Sequence, residues 1–387
     1  MIATYWDTLQ AIYLSCLALS FIVDTDLVNI KSILIIIQRS NGDVFLSSPL
    51  IDQLQNTYLD AKIDLLVNTD TISIAKTLKK VNKIYKFSYE EKNKNRYKQE
   101  RNIFKKIYRK YDLSINLTSS DRSVIYSLIA SKKSISAIEK NTIKSWWKKF
   151  FLKHHYFFDE DEHILINNLK SLDCLSINPV NQVIPAAYSQ TSLNTIKDKL
   201  NYLKIENFII FHPSAQYNYK VYKKELRKNL LSLLDSLNIP IIITGGGNDI
   251  DIQIKESLPK LRNVYDFINE TSIDEFIALS SISKAYIGMD TLNMHIAASQ
   301  NKPIFAIFGP TNINMWSPWS NYLETAANKS NPIIKYDNIT IFQAALPCVA
   351  CGKKGCQNNG KVSECLDNID PRLIFKEIKQ WFLSNSL

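Results

Sequence analysis

The segment Ile287–Pro310 reads IGMDTLNMHIAASQNKPIFAIFGP and sets Asp290, Thr291 and His295 where an apolar strand hands over to a helix. In parallel α/β sheets, ligands bind beyond the carboxyl ends of the strands. A helix N-terminus at that place offers free N–H groups and a partial positive charge, which suits phosphate. Thr291 and the backbone after it can hold phosphate oxygens, and His295, one helical turn on, can face the same anion. Two more strand ends carry polar residues, HPSAQYNYK (212–220) and TGGGND (244–249). Convergence of all three would build a nucleotide-diphosphate site in which Lys220 supplies a fixed positive charge. Phosphate would repel Asp290, so its expected partners are the hydroxyls of a ribose or sugar. The plain alternative is an N-cap, an ordinary task for Asp at a helix start. TGGGND lacks the spaced glycines of dinucleotide folds, and no Walker-type lysine motif is present.

These residues need a scaffold, and the chain spells one out twice. Ile33–Ile37 is a continuous apolar run of buried-strand length. A polar loop, Gln38–Asp43, and a helix carrying Val44, Leu46, Leu50 and Leu54 are expected to follow. KIDLLVNTD and DLSINLTS read as later strands, and their alternation with helical stretches argues for βαβ units. Around Leu172–Lys204 the periodicity loosens and two prolines appear, which places a junction there. The second half repeats the grammar. NFIIFHPS, IIITGGG, KAYIGMD and PIFAIFGP read as strands, Leu226–Leu237 as a helix, and Ser272 with Glu275 as a capping box. DPRLIFKEIKQWF reads as a closing amphipathic helix. No residue-level repeat links the halves.

Composition bounds the function. A chain of 387 residues with 45% hydrophobic and 22% charged residues is globular and expected to hold two domains. The net charge of +10 favours an anionic partner. From Lys79 to Lys153 there are 21 Lys/Arg against 6 Asp/Glu, so much of the excess sits in the first half, as a docking surface or as a merely solvated face. The basic residues join no recognised nucleic-acid module, so no nucleic-acid partner is expected. The first lysine is Lys31, which argues against a basic secretory leader, and the uncharged run Thr8–Val23 reads as a docking helix or, second, an interfacial one. Trp146, Trp147, His154 and His155 read as a partly buried aromatic segment before they read as a sugar or lipid contact.

GMDTLNMHIAASQNKPIFAIFGPTNINMWSPW resembles the signature of the lipopolysaccharide heptosyltransferases, glycosyltransferase family nine. The similarity extends through HPSAQYNYK, TGGGND and ILIIIQRSNGDVFLSSPL, about residues 31 to 320, and is greatest to the branch that adds the third, side-branch heptose of the inner core. The resemblance implies an α/β GT-B fold: two Rossmann-like domains facing across a cleft. Residues 31–190 would bind the acceptor and 205–345 the sugar nucleotide. Residues 1–30 would be an N-terminal helical extension, and 346–387 a Cys-rich segment and C-terminal helix. It implies inverting, metal-independent transfer of a heptose from ADP-heptose to a heptose of the lipopolysaccharide core, by a cytoplasmic enzyme peripheral on the inner face of the inner membrane.

By the same resemblance Asp43, in Gly42-Asp43, is the catalytic base. Ser214, Lys220, Thr291 and His295 match the groups that hold the diphosphate. Asp290 matches the residue holding the sugar's hydroxyls, and Asp249 an acidic position near the nucleoside. Leu292 stands where many members have Gly, leaving its N–H able to donate but with less room. The lysine is followed by KVYKK where many members have a tryptophan.

Cys348, Cys351, Cys356 and Cys365 stand as C-x2-C-x4-C-x8-C, a set that suits one structural Zn or Fe. Disulfides and plain thiols are the alternatives, the first disfavoured in a reducing compartment. No cofactor is expected for catalysis. Cys16 and Cys174 read as core. Three other functions stay open: a protein O-heptosyltransferase, a transferase using another sugar nucleotide, and a non-catalytic nucleotide or glycan binder.

Overall fold

A computed structural model describes residues 29–140 and 143–385. The expected extension over residues 1–30 and the core reading of Cys16 fall almost wholly outside them. Two sheets dominate. The first contains β1 (Ser32–Ile37), β2 (Lys62–Asn68), β3 (Val81–Phe87), β4 (Leu113–Asn116), β5 (Ser134–Glu139) and β6 (His154–Phe158). They run parallel in the order β3-β2-β1-β4-β5-β6. The second contains β7 (Ile209–His212), β8 (Ile241–Gly245), β9 (Val264–Ile268), β10 (Tyr286–Met289), β11 (Ile304–Ile307), β12 (Ile333–Tyr336) and β13 (Ile339–Phe342). Its order is β12-β13-β11-β10-β7-β8-β9, parallel except for β12. Setting β12 aside, both sheets follow one doubly wound order, so each has a topological switch point: between β1 and β4, and between β7 and β10.

The strands form because both faces are covered. Ile33 to Ile37 and Ile241 to Ile243 are fully buried, as continuous apolar runs demand. Expected strands in both halves are observed. Two local expectations are corrected. The stretch Gln38–Asp43 is not wholly a loop. A short helix, Asn41–Phe45, begins inside it, because Ser40 and Asp43 form a capping box. The junction is not wholly loose either. Ser189 caps a helix, Gln190–Tyr202, and hydrogen-bonds Asp274 of the second half through its N–H (3.0 Å) and hydroxyl (2.8 Å).

The segment joining the halves is held from both sides. Gln53 pairs with both backbone groups of Val180 (2.7 and 2.9 Å), and Asn321 does the same at Val183 (2.8 and 3.0 Å). Trp319 Nε1 donates to the Asn181 carbonyl at 2.7 Å, and the Ile184 N–H donates to Ser48 Oγ at 3.2 Å. The closing helix, Pro371–Ser384, packs on the second half, with Trp381 edge-on to Phe305.

Gly288 in β10 is there for space. A Cβ at this position would lie 2.6 Å from the His212 carbonyl oxygen on β7. Gly288→Ala is therefore expected to lower stability by roughly 1–3 kcal/mol, read as a fall in the denaturation midpoint. Gly42→Ala, whose Cβ has 3.8 Å to the nearest atom, is expected to leave that midpoint nearly unchanged.

Candidate functional site

Both switch points open on one polar cavity of about 520 Å³. The first half contributes Ser40, Asn41 and Gly42. The second contributes residues from the ends of β7, β8 and β10, among them His212, Ser214, Lys220, Asp290, Thr291, Leu292 and His295.

The helix Leu292–Ser299 begins at the cavity. Its N-cap, Thr291, is extended (φ −144°, ψ 171°) and makes no side-chain cap, so the first N–H groups stay available to a ligand. One turn on, buried His295 lies against the first half, its ring 3.8 Å from where a Gly42 Cβ would stand. His295 Nδ1, Gln38 Nε2 and Asn41 Oδ1 are buried without a protein hydrogen-bond partner. Buried polar groups are normally paired, and a ligand in the cavity would supply what His295 and Asn41, which line it, lack.

Lys220 Nζ lies 3.0 Å from Asp290 Oδ2. Burial works against the lysine's charge, but the Asp290 carboxylate outweighs it and the pKa is raised overall. The two residues, expected to serve separate parts of a ligand, also pair with each other. Burial pushes His295 down to about 4, with Lys220 adding to the fall and Asp290 and Asp43 opposing it.

Asp43 is buried just behind the cavity rim. Its Oδ2 accepts from Ser40 N (3.1 Å) and Ser40 Oγ (2.5 Å), and its Oδ1 lies 2.6 Å from Arg39 Nε. The Arg39 guanidinium in turn stacks 4.7 Å over Phe158 and 6.0 Å from the Trp316 ring of the second half. Asp249 is exposed at the first position of its helix and does not line the cavity. The acidic residue of this helix that does is Asp251, two positions on, turned inward because it closes a capping box with Asn248. Its carboxylate fills the space beside Gly245 and Gly246.

Sequence reasoning also missed His212. It is buried on the cavity wall, 3.0 Å from Thr244 Oγ1 and 3.2 Å from Asn293 Nδ2, and burial holds its pKa near 4 despite Asp251. A polar residue closing an apolar strand was the available signal.

The four C-terminal cysteines are neighbours without being a ligand set. Cys348 and Cys351 are exposed on a turn, Cys356 is half-buried, and Cys365 is buried in the second core. Burial first, then the adjacent sulfurs, push Cys365 up to about 11. Among the described residues no three His, Cys, Asp or Glu side chains are placed to hold a metal ion, so as arranged the thiols do not fit one. Cys174 packs half-buried against the main core.

A cavity at paired switch points, with a cation and an open helix N-terminus, suits a ligand that is anionic at one end and hydroxyl-rich at the other. Residues 101–346 match the model of glycosyltransferase family 9 (heptosyltransferase). The chain belongs to that family. It is a glycosyltransferase with the α/β GT-B architecture. Lipopolysaccharide heptosyltransferase 3 of Escherichia coli is 26% identical over 294 residues, covering 73% of this chain and 85% of that one. The solved E. coli ADP-heptose lps heptosyltransferase II superposes with a TM-score of 0.67 at 17% identity, over 92% of this chain and 100% of that one. The family 9 glycosyl transferase of Veillonella parvula DSM 2008 gives 0.70 at 14% identity, over 92% and 98%.

Three buried histidines of this glycosyltransferase contribute to its acid sensitivity. His163, bonded to the Ser317 carbonyl at 3.0 Å, is pushed down to about 3 by burial, and His212 and His295 to about 4. Unfolded histidine titrates near 6.5, so on acidification the unfolded chain binds protons first and stability falls from about pH 6.5 towards 4. At pH 5 unfolding should take up roughly three protons at these sites. His163→Gln, which can keep the Ser317 bond, should reduce the slope of stability against pH by roughly one proton. An unchanged slope would mean His163 does not stay neutral in the fold.

Proposed function

We propose that this glycosyltransferase transfers a heptose from ADP-heptose to a heptose of the lipopolysaccharide inner core, with inversion, on the cytoplasmic side of the inner membrane. The reading is supported by membership of family 9 and by the similarity to lipopolysaccharide heptosyltransferase 3. The observation that carries it is the meeting, on one cavity, of an uncapped helix start and Lys220 with the Ser40–Gly42 edge of the other half, behind which the Asp43 carboxylate is buried.

The chemistry follows from the placement. The departing nucleoside diphosphate gains negative charge as the glycosidic bond breaks. The N–H groups at Leu292 and Asn293, Ser214, the neutral His295 ring and the Lys220 ammonium can take up that charge without a metal. Asp290, released from Lys220 as the diphosphate arrives, is free to hold sugar hydroxyls. The acceptor hydroxyl attacks the anomeric carbon from the side of the first half and must lose its proton. We assign that step to Asp43, which does not itself line the cavity but is hydrogen-bonded to Ser40, which does. Asp43 precedes the matched span 101–346, so its role rests on this placement and on the Gly42-Asp43 motif. A structural Zn or Fe at the four cysteines would require the Cys348–Cys351 turn to close on Cys356 and Cys365. No step of the transfer passes through it.

Asp43→Asn is expected to lower turnover by roughly 10²–10⁴-fold in an assay of ADP release from ADP-heptose and core oligosaccharide, with ADP affinity kept. Equal turnover in this variant would remove Asp43 as the base. Lys220→Ala should weaken ADP binding by about tenfold to a hundredfold in calorimetry, since a charge-assisted contact is lost. Competition by UDP- or GDP-sugars as strong as that by ADP-heptose would overturn the donor assignment.

A further inference from the structure

Residues 140–158, KNTIKSWWKKFFLKHHYFF, contain five lysines and no acidic residue. Within them Ile143, Trp146, Phe150 and Phe151 recur at helical spacing, the pattern of a buried face. In the structure that face meets solvent. Ile143 is 92% exposed, Trp146 67%, Phe150 77% and Phe151 60%. Phe157, on the edge strand β6, extends the patch. The expectation of a partly buried aromatic segment therefore holds for Trp147 alone of the tryptophan pair.

The exposure is built rather than accidental. The helix Trp146–Phe151 is anchored on its other side by Lys148, which is 2% exposed. Its Nζ lies 2.8 Å from Glu139, 3.0 Å from Asp121 and 2.6 Å from the Ser119 carbonyl. Trp147 packs with Val124, Ile138 and Leu152. A buried charged anchor thus holds one face down and leaves the aromatic face turned out. A contiguous exposed apolar patch of this kind marks a docking surface.

The charge around it selects the occupant. Lys149 Nζ stands 5.2 Å over the Phe157 ring, and the segment itself contributes no carboxylate, while Lys140 and Lys148 are paired with Asp159 and with Glu139 and Asp121 of neighbouring elements. A symmetric contact with a second copy would set lysines against lysines. A bilayer with anionic headgroups accepts aromatic side chains at its interface and lysines at its phosphates. The patch also lies at a useful end of the sheet. Ser145 bonds Glu139 at the end of β5 (2.8 Å), and Lys140 pairs with Asp159 just past β6 (3.3 Å). That is the end at which β1 delivers Ser40 to the cavity. Among the described residues no helix is long and apolar enough to cross a membrane.

We infer that the exposed face formed by Ile143, Trp146, Phe150, Phe151 and Phe157 is the surface by which this enzyme docks on an anionic bilayer. The inference rests on the glycolipid-acceptor reading above, for which it supplies the contact.

The test is flotation of the full chain with vesicles of phosphatidylethanolamine and phosphatidylglycerol, against phosphatidylcholine alone. The wild type should float with the anionic vesicles and lose them at high salt. Trp146→Ser/Phe150→Ser should partition about tenfold less or weaker, and Lys149→Glu should also partition less. Both variants should keep the wild-type melting temperature and turnover on lipid-free core oligosaccharide. Flotation of the double variant equal to wild type, or a wild type that does not float, would overturn the surface. So would sedimentation showing a wild-type dimer that the double variant breaks. Turnover on the lipid-free acceptor reports separately on the proposed function: its absence in the wild type would sink that reading, whereas the vesicle result bears on the surface.

Discussion

The unfilled N-terminus of the helix Leu292–Ser299 is the constraint around which the rest is arranged. Its first N–H groups are not capped by Thr291, and a buried helix start needs a negative partner. Lys220 reinforces that demand from the loop after β7. Asp290 meets part of it, 3.0 Å from Lys220. β10 can run close beside β7 because Gly288 has no side chain to strike the His212 carbonyl. The doubly wound order then brings the β1 loop of the other half, with Asp43 behind it, to the opposite wall.

Charge near this point is managed by burial and pairing together. Lys220 keeps its proton because Asp290 is 3.0 Å away; His295, with no such partner at hydrogen-bonding distance, stays neutral. A neutral ring can still donate to an oxygen that becomes more negative during bond breaking, without adding fixed charge to a site that already holds an ammonium. Arg39 plays a related part across the gap. It lies against Asp43 and stacks near Trp316, so the carboxylate's orientation is tied to the second half as well as the first.

Much of this was legible in the sequence because it follows from periodicity. Continuous apolar runs gave the central strands, and polar residues at their carboxyl ends gave Lys220, Asp290, Thr291 and His295; Ser214 came from the family resemblance. What escaped were helix starts too short or too polar to show a period. Ser40-x-x-Asp43 and Asn248-x-x-Asp251 are both capping boxes closed by Asp instead of Glu. The same spacing hid the helix containing Asp43 and left Asp251 unnoticed, Asp249 having been taken from the family resemblance. Side-chain exposure was also out of reach. Ile143, Trp146 and Phe150 have the spacing of a core face, and only the buried anchoring of Lys148 shows which side is turned outward.

The connector between the halves bears on how the enzyme moves. Val180 is gripped by Gln53 and Ile184 by Ser48 from one side, while Asn181 and Val183 are gripped by Trp319 and Asn321 from the other. Stitched alternately in this way, the connector resists a wide swing, since each degree of rotation loads bonds of both halves. The weakest stitch is the 3.2 Å bond from Ile184 to Ser48. The two halves are thus coupled through their connector, so that loosening it on one side leaves it fastened to the other.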